Sequence, residues 1–342
     1  MTRDAQIDAF LAAAGWGAAE RFPLAGDAST RRYTRLRKGD ARAMLMDAPF
    51  ATPVPVPTPP YIATDPRPFV AITRSLRALG LSAPEVLAED LEAGFLLIED
   101  LGHALYASEI AADPALEMPY YAGAIDVLAR LHGSDAARGF DLPSYDAPTS
   151  VFEAALALDW YAAPDAPVGQ ADRAEILAEI TALTSLDSTV VPVLRDYHAE
   201  NLLWLPERKD EARVGLLDYQ DALMGAPAYD FVSLLEDARR DVSEPVREAM
   251  LRRYLDRTGG VEAALSAQVA RWGAQRNLKI LGIFARLNRR DGKPRYLPML
   301  PRVWAHLERD LSHPDLATLS AQVRKVLPPP TEAHIAALRR GG

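Results

Sequence analysis

The 342-residue chain contains no cysteine, so it has no disulfide framework, no thiolate metal site and no cysteine nucleophile. No apolar run approaches the roughly 18 residues that a membrane helix needs, and residues 1–30 show no basic segment followed by a long apolar run. A soluble, unexported, cytoplasmic protein is the expectation. Positive charge is also in short supply: 38 Lys and Arg face 47 Asp and Glu, a net charge of −9. That balance offers no sequence-wide footprint for nucleic acid, although a local basic pocket remains compatible with an anionic ligand. No repeat of fixed period is present. With 49% hydrophobic residues, the length suits two lobes that each bury a core.

The texture changes along the chain. Ala5–Ala14 has helical spacing and stops at Gly15, whereas Arg21–Asp47 alternates short apolar runs with turn clusters and reads as three antiparallel strands. Five prolines between Pro53 and Pro60 exclude helix and central strand and predict an exposed loop, placed where a lid would be useful. A helix follows over Pro66–Leu79, then paired strands at Glu85–Ala88 and Phe95–Ile98. Beyond Gly102 long amphipathic stretches predominate, at Pro119–His132, Val151–Tyr161, Ala171–Leu183, Tyr229–Ala238, Glu244–Arg257, Glu262–Trp272, Asn277–Asn288, Leu300–Leu311 and Leu316–Lys325. The expected fold is α+β: a sheet-rich N-lobe over 1–101 and a mainly helical C-lobe over 102–342 that carries one small hairpin built from Val190–Leu194, Leu202–Leu205 and Val214–Leu217.

That hairpin holds the residues with the clearest chemistry. Asp196 is followed five residues later by Asn201, and Asp218 stands just after the next strand. Phosphoryl transfer needs a carboxylate to take the proton of the attacking hydroxyl, with an amide oxygen and a second carboxylate to hold Mg²⁺ against nucleotide phosphates. The protein-kinase catalytic loop has the same Asp-to-Asn spacing. Alone, such residues also suit a polar turn, because Asp and Asn bond to nearby backbone.

With Asp196, His198 and Asn201 in place, the chain resembles the aminoglycoside phosphotransferase and choline-kinase-like family, whose loop reads His-Gly-Asp-x-His-x-x-Asn. Leu194 and Arg195 depart from the first two positions. The resemblance implies a protein-kinase-like two-lobed fold, ATP and Mg²⁺, Asp196 as base, Asn201 and Asp218 as metal ligands, and Asp230 as a carboxylate bonding loop amides. Further segments, Gly26–Tyr33, Leu45–Pro49, Phe95–Gly102 and Gln275–Leu287, are similar to the anomeric kinases of N-acetylmuramate and N-acetylglucosamine in peptidoglycan recycling. Under that resemblance Gly26, Asp27, Ala28, Ser29 and Thr30 cover the phosphates, and the backbone of Glu99 and Leu101 receives adenine.

One element of a kinase is missing. Strand Ala43–Asp47 has no lysine to pair the nucleotide phosphates, a duty that Arg31 or Arg32 beside the small-residue turn can take. For the sugar, Arg276, Lys279 and Arg286 belong to a basic segment suited to the lactyl carboxylate of N-acetylmuramate. Trp160 and Tyr161 fit either a sugar platform or helix core. Two rival readings remain: a kinase of the same fold acting on an aminoglycoside, choline-like or other hydroxylated metabolite, and a nucleotide-binding pseudokinase. Neither requires an obligate protein partner.

Overall fold

The computed structural model describes residues 1–24, 31–49, 63, 65–162, 167–187 and 189–340. The phosphate-covering turn expected at Gly26–Thr30 and the proline loop at 51–60 lie outside them. In chain order the elements are α1 (Arg3–Ala13), β1 (Glu20–Pro23), β2 (Arg32–Lys38), β3 (Ala41–Asp47), α2 (Arg67–Ala78), β4 (Val86–Asp90), β5 (Phe95–Glu99), α3 (Tyr106–Ala112), α4 (Glu117–Gly133), α5 (Asp135–Arg138), α6 (Ala147–Leu156), α7 (Gln170–Thr184), β6 (Val191–Val193), β7 (Leu202–Trp204), β8 (Val214–Leu216), β9 (Leu223–Gly225), α8 (Ala228–Leu235), α9 (Glu244–Thr258), α10 (Glu262–Arg289), α11 (Leu300–Asp310), α12 (Ala317–Val326) and α13 (Glu332–Arg340). Among the described residues no helix is long and apolar enough to cross a membrane.

The chain divides into two compact units. The first comprises residues 1–130, 135–141 and 199–222, and the second 131–134, 142–198 and 223–342. The boundary expected at 101–102 therefore falls inside the first unit.

In the first unit a five-stranded antiparallel sheet has the order β1-β2-β3-β5-β4. Alternation along β2 and β3 puts Leu36, Ala43 and Leu45 on one face, where they pack with Leu97 and with Leu11 of α1. The opposite face carries Arg35 and Tyr33, register partners of Met44 and Met46. β7 and β8 pair antiparallel, Leu202 against Leu216 and Trp204 against Val214.

In the second unit α6, α7, α10, α11 and α12 enclose an apolar core. α10 passes so close to α6 that a Cβ on Gly282 would lie 2.2 Å from the Leu156 carbonyl carbon, which excludes any side chain there. The last turns of α6 continue as a π-helical segment, Ala157–Tyr161. Tyr161 is fully buried and its hydroxyl donates to the Pro328 carbonyl at 2.8 Å, so it belongs to the core and not to a sugar platform.

Two expectations need correction. Val190–Leu194 and Val214–Leu217 do not share a hairpin: β6 pairs with β9, which the sequence reading missed, and β7 pairs with β8. Strands of three residues give a period-2 pattern too little length to reveal its partner. The helices expected at Glu262–Trp272 and Asn277–Asn288 are one continuous 28-residue helix, α10. Gly273 suggests a break on propensity, yet it faces Asp310 so closely that an added Cβ would lie 2.5 Å from its carboxylate oxygen. Packing overrides propensity at that point.

Candidate active site

In the second unit the chain leaves β6, turns at Arg195 and presents Asp196. Arg195 has φ 70°, the left-handed region that a residue with a Cβ occupies at a cost of about 1–2 kcal/mol. The turn is held from below by Asp230 in the first turn of α8, whose two carboxylate oxygens accept from the backbone N–H groups of Leu194 (2.6 Å) and Arg195 (2.8 Å). Burial pushes the Asp230 carboxyl up to about 7, against the lowering effect of those two N–H groups and Arg276. The carboxylate expected at this place to bond loop amides is thus present.

The Arg195 side chain is buried and pairs with Glu153 of α6 at 2.5 Å. The same carboxylate receives Lys279 Nζ at 2.9 Å and a short hydrogen bond from the Tyr145 hydroxyl. Burial would raise Glu153, but Lys279, Arg195 and Tyr145 outweigh it and hold the carboxyl below its usual range.

Asp196 opens onto a cavity of about 120 Å³. Its floor and walls bring together three cations, Arg239, Arg276 and Lys279, with an apolar side made by Ile280, Ile283 and Phe284, and Tyr229 beside them. On α10 the positions 276, 279, 280, 283 and 284 follow the i, i+3, i+4, i+7, i+8 spacing of a single helix face. Arg286 lies two turns beyond Lys279 on the same stripe of α10, past Phe284, and does not line the cavity, contrary to expectation.

Arg276 is 6% exposed; its Nη2 donates to Ser233 Oγ at 2.8 Å, and its Nη1 has no hydrogen-bond partner among the described residues. Lys279 Nζ also donates to the Tyr229 hydroxyl at 3.0 Å. Arg239 lies 3.8 Å from Asp237 and 3.4 Å from His198 Nε2. The protein bulk around Asp196 would raise its carboxyl, but His198 when protonated, Lys279, Arg195 and Arg276 hold it below the ordinary carboxylate range. His198 itself is pushed down to about 4 by burial and by Arg239, so near neutrality the permanent cations keep Asp196 ionised.

In the first unit the β7–β8 pairing brings Asn201 and Asp218 to the same end of the hairpin, where Leu217 N–H donates to the Asn201 carbonyl at 3.0 Å. Asp218, like Arg195, lies in the left-handed region, with φ 56°. Gln220 Nε2 donates to its Oδ1 at 2.9 Å, and Arg31 Nη1 stands 3.4 Å from the same oxygen. Arg31 is well covered, its side chain 14% exposed, whereas Arg32 is exposed on β2.

At the end of β5, Glu99 N–H donates to the Glu85 carbonyl at 2.8 Å, and Arg208 pairs with its carboxylate. Arg35 braces the following segment, 2.7 Å from Asp100 and 2.7 Å from the Gly102 carbonyl. Sequence reasoning missed Arg35, Arg239, Tyr229 and Glu153. Only Glu153 left a signal, as one acid inside the apolar run Val151–Leu158.

Residues 22–272 match the model of the phosphotransferase enzyme family, more than half of the chain. The chain belongs to that family. This phosphotransferase is 40% identical to the N-acetylmuramate/N-acetylglucosamine kinase of Caulobacter vibrioides, an alignment covering 95% of this chain and 97% of that one. It is 36% identical to the protein of the same description from Pseudomonas aeruginosa, covering 92% of each. Its fold is that of a putative aminoglycoside phosphotransferase from Ralstonia eutropha, with a TM-score of 0.61 at 15% identity over 95% of this chain and 99% of the other. The α+β, protein-kinase-like fold expected from the sequence is the fold of the family, and the enzyme class is phosphotransferase.

Proposed function

We propose that this phosphotransferase transfers the γ-phosphoryl group of ATP to the anomeric hydroxyl of N-acetylmuramate and N-acetylglucosamine, in the cytoplasm, as part of cell-wall sugar recycling. The observation that carries the reading is Asp196, ionised and open to a cavity walled by cations and an apolar patch. An aminoglycoside or choline-like substrate is itself cationic and would be repelled by Arg239, Arg276 and Lys279. Relatives named for an acidic and a neutral amino sugar support the same choice.

Asp196 accepts the C1 hydroxyl proton as the sugar oxygen attacks the γ-phosphorus, and ADP leaves. Its ionised state near neutrality serves that role, and the fixed turn at Arg195 holds it in a single geometry, where such transfers gain most of their rate. Asn201 and Asp218 are the residues assigned to Mg²⁺. Among the described residues no three His, Cys, Asp or Glu side chains gather around a metal. One amide and one carboxylate oxygen still fit this ion, which is hard, prefers oxygen and normally completes its shell with phosphates and water. When bound, Mg²⁺ supplies charge neutralisation on the phosphates.

Arg31 answers for the absent β3 lysine: a guanidinium at the Asp218 carboxylate is suited to phosphate oxygens. Gly26–Thr30 are assigned to the phosphates as well. Because the Glu99 N–H already donates to Glu85, adenine is assigned to the Glu99 carbonyl and the Leu101 N–H. In lobe terms, 1–101 serves the nucleotide and 102–342 carries the catalytic and metal loops and the sugar site. Phosphorus NMR of the purified protein with ATP, Mg²⁺ and each sugar tests the reading. A proton-coupled doublet from a sugar 1-phosphate is the expected product; ATP turnover with kanamycin or choline and with neither amino sugar would overturn it.

A further inference from the structure

Lys279, Arg195 and Arg276 together help to keep Asp196 ionised. Arg276 adds a third cation that is 6% exposed and lines the cavity, with its Nη1 unpartnered among the described residues. A buried guanidinium N–H without an acceptor is costly, and a carboxylate is the acceptor whose geometry it fits best.

The charges around it point the same way. Glu153 is one carboxylate shared by two cations, Arg195 at 2.5 Å and Lys279 at 2.9 Å, so the cluster keeps one positive charge. If Arg195 were the family's usual glycine, Lys279 and Glu153 would cancel each other. With Arg195 present, Arg195, Lys279 and Arg276 stand against the carboxylates of Glu153 and Asp196, so the group keeps one positive charge beside the cavity. Arg239 is the remaining cation, with Asp237 at 3.8 Å. Beside them Ile280, Ile283 and Phe284 give an apolar surface of the kind that a methyl-bearing acid would cover.

Resting on the sugar-kinase reading above, we propose that Arg276, together with Lys279 and Arg239, binds the lactyl carboxylate of N-acetylmuramate, and that Arg195 is a positioning residue that leaves Lys279 charged toward that carboxylate. The site then discriminates the acidic from the neutral amino sugar by charge and not by size.

The test is a cycle between enzyme and substrate. KM and kcat are measured for N-acetylmuramate, its carboxyl methyl ester and N-acetylglucosamine, in the wild type, Arg276→Met, Arg276→Lys and Arg195→Gly. A charged hydrogen bond of this kind is worth about 10- to 100-fold. Arg276→Met is therefore expected to raise the KM for the acid by about that factor more than for the ester or for N-acetylglucosamine, chiefly in KM and not in kcat. Arg276→Lys recovers part of the difference, and Arg195→Gly reproduces a smaller share of it in KM for the acid, on top of a change in kcat common to all three substrates through Asp196. Equal losses for all three substrates would overturn the proposal, assigning the cations to phosphoryl transfer or to folding; so would no loss at all. If the wild type phosphorylates neither sugar, the kinase reading fails and the anchor is read separately, by calorimetric titration of N-acetylmuramate against its methyl ester without nucleotide. Preference for the acid that disappears in Arg276→Met sustains the anchor, and equal binding of the two overturns it.

Discussion

Two residues with side chains occupy the left-handed region beside functional groups, and their surroundings differ. Arg195, next to the carboxylate we assign as base, is buried, fixed through its backbone by Asp230 and through its guanidinium by Glu153. Asp218, the carboxylate we assign to the metal, has a 47% exposed side chain, with Gln220 at 2.9 Å and Arg31 at 3.4 Å. Backbone strain at the first is sustained by buried partners on both its backbone and its side chain; at the second it is carried by a half-exposed carboxylate.

The largest expected effect removes the group that the rigid turn exists to present. Asp196→Asn keeps the shape and loses the base, so kcat falls by about three orders of magnitude or more while ATP binding stays within about threefold. Fluorescence or calorimetric titration beside a steady-state assay measures both, and undiminished turnover would refute the assignment.

Next come the two strained residues. Replacing either by glycine relieves about 1 kcal/mol of backbone strain. At Arg195 that gain is smaller than the loss of a buried charged hydrogen bond and its packing, about 3 kcal/mol, although Lys279 stays behind as the counter-charge of Glu153. Arg195→Gly is therefore expected to lower unfolding free energy by about 2 kcal/mol, whereas Asp218→Gly changes it by less than about 1 kcal/mol. Urea denaturation of the ligand-free proteins decides; equal losses would erase the contrast between the two turns.

A smaller effect is expected at Arg31. Arg31→Ala should raise the KM for ATP by about tenfold, with Arg31→Lys recovering most of it and the KM for sugar unmoved. That outcome separates a phosphate contact from a mere brace on Asp218, which the lysine variant would not restore with the same substrate selectivity.

How much of this was legible in the sequence follows from where the residues lie along the chain. Asp196, His198 and Asn201 fall within six positions, so local spacing exposes them. The β1-β2-β3 meander and the β4–β5 pair of the first unit were readable because their strands follow one another through marked turns, whereas the β3–β5 pairing that joins them into one sheet was not. The cavity was not, since it draws on the loop after β6, on Arg239 beyond α8 and on one face of α10. Arg239 sits in no pattern, and Arg286 has the right chemistry and the right stripe of α10 but lies beyond Phe284, the last helix residue to line the cavity. Arg195 read as a departure from a glycine position; its φ of 70° keeps the glycine conformation while its guanidinium enters the Glu153 pair. Sequence reveals the departure, and only packing reveals its purpose.

The smallest expected effect concerns pH, and it sharpens the description of the rigid turn, because its two carboxylates titrate in opposite senses. Asp196 lies below its ordinary range, so its ionised form is stabilised by the fold; that contribution is complete above about pH 4 and is lost as pH falls through the lower folded value. Asp230 is raised to about 7, so the fold favours its protonated form; that contribution is complete below about pH 4 and is lost as pH rises toward 7. The acid limb of kcat/KM should therefore lie below about pH 5, with no inflection at the ordinary histidine value, because His198 is pushed down to about 4. Between pH 6 and 7.5 unfolding free energy should decline by about 1 kcal/mol more in the wild type than in Asp230→Asn, which has no proton to release. A limb in kcat/KM near 7 that vanishes in Asp230→Asn would move the control of activity from the base to the carboxylate beneath its turn.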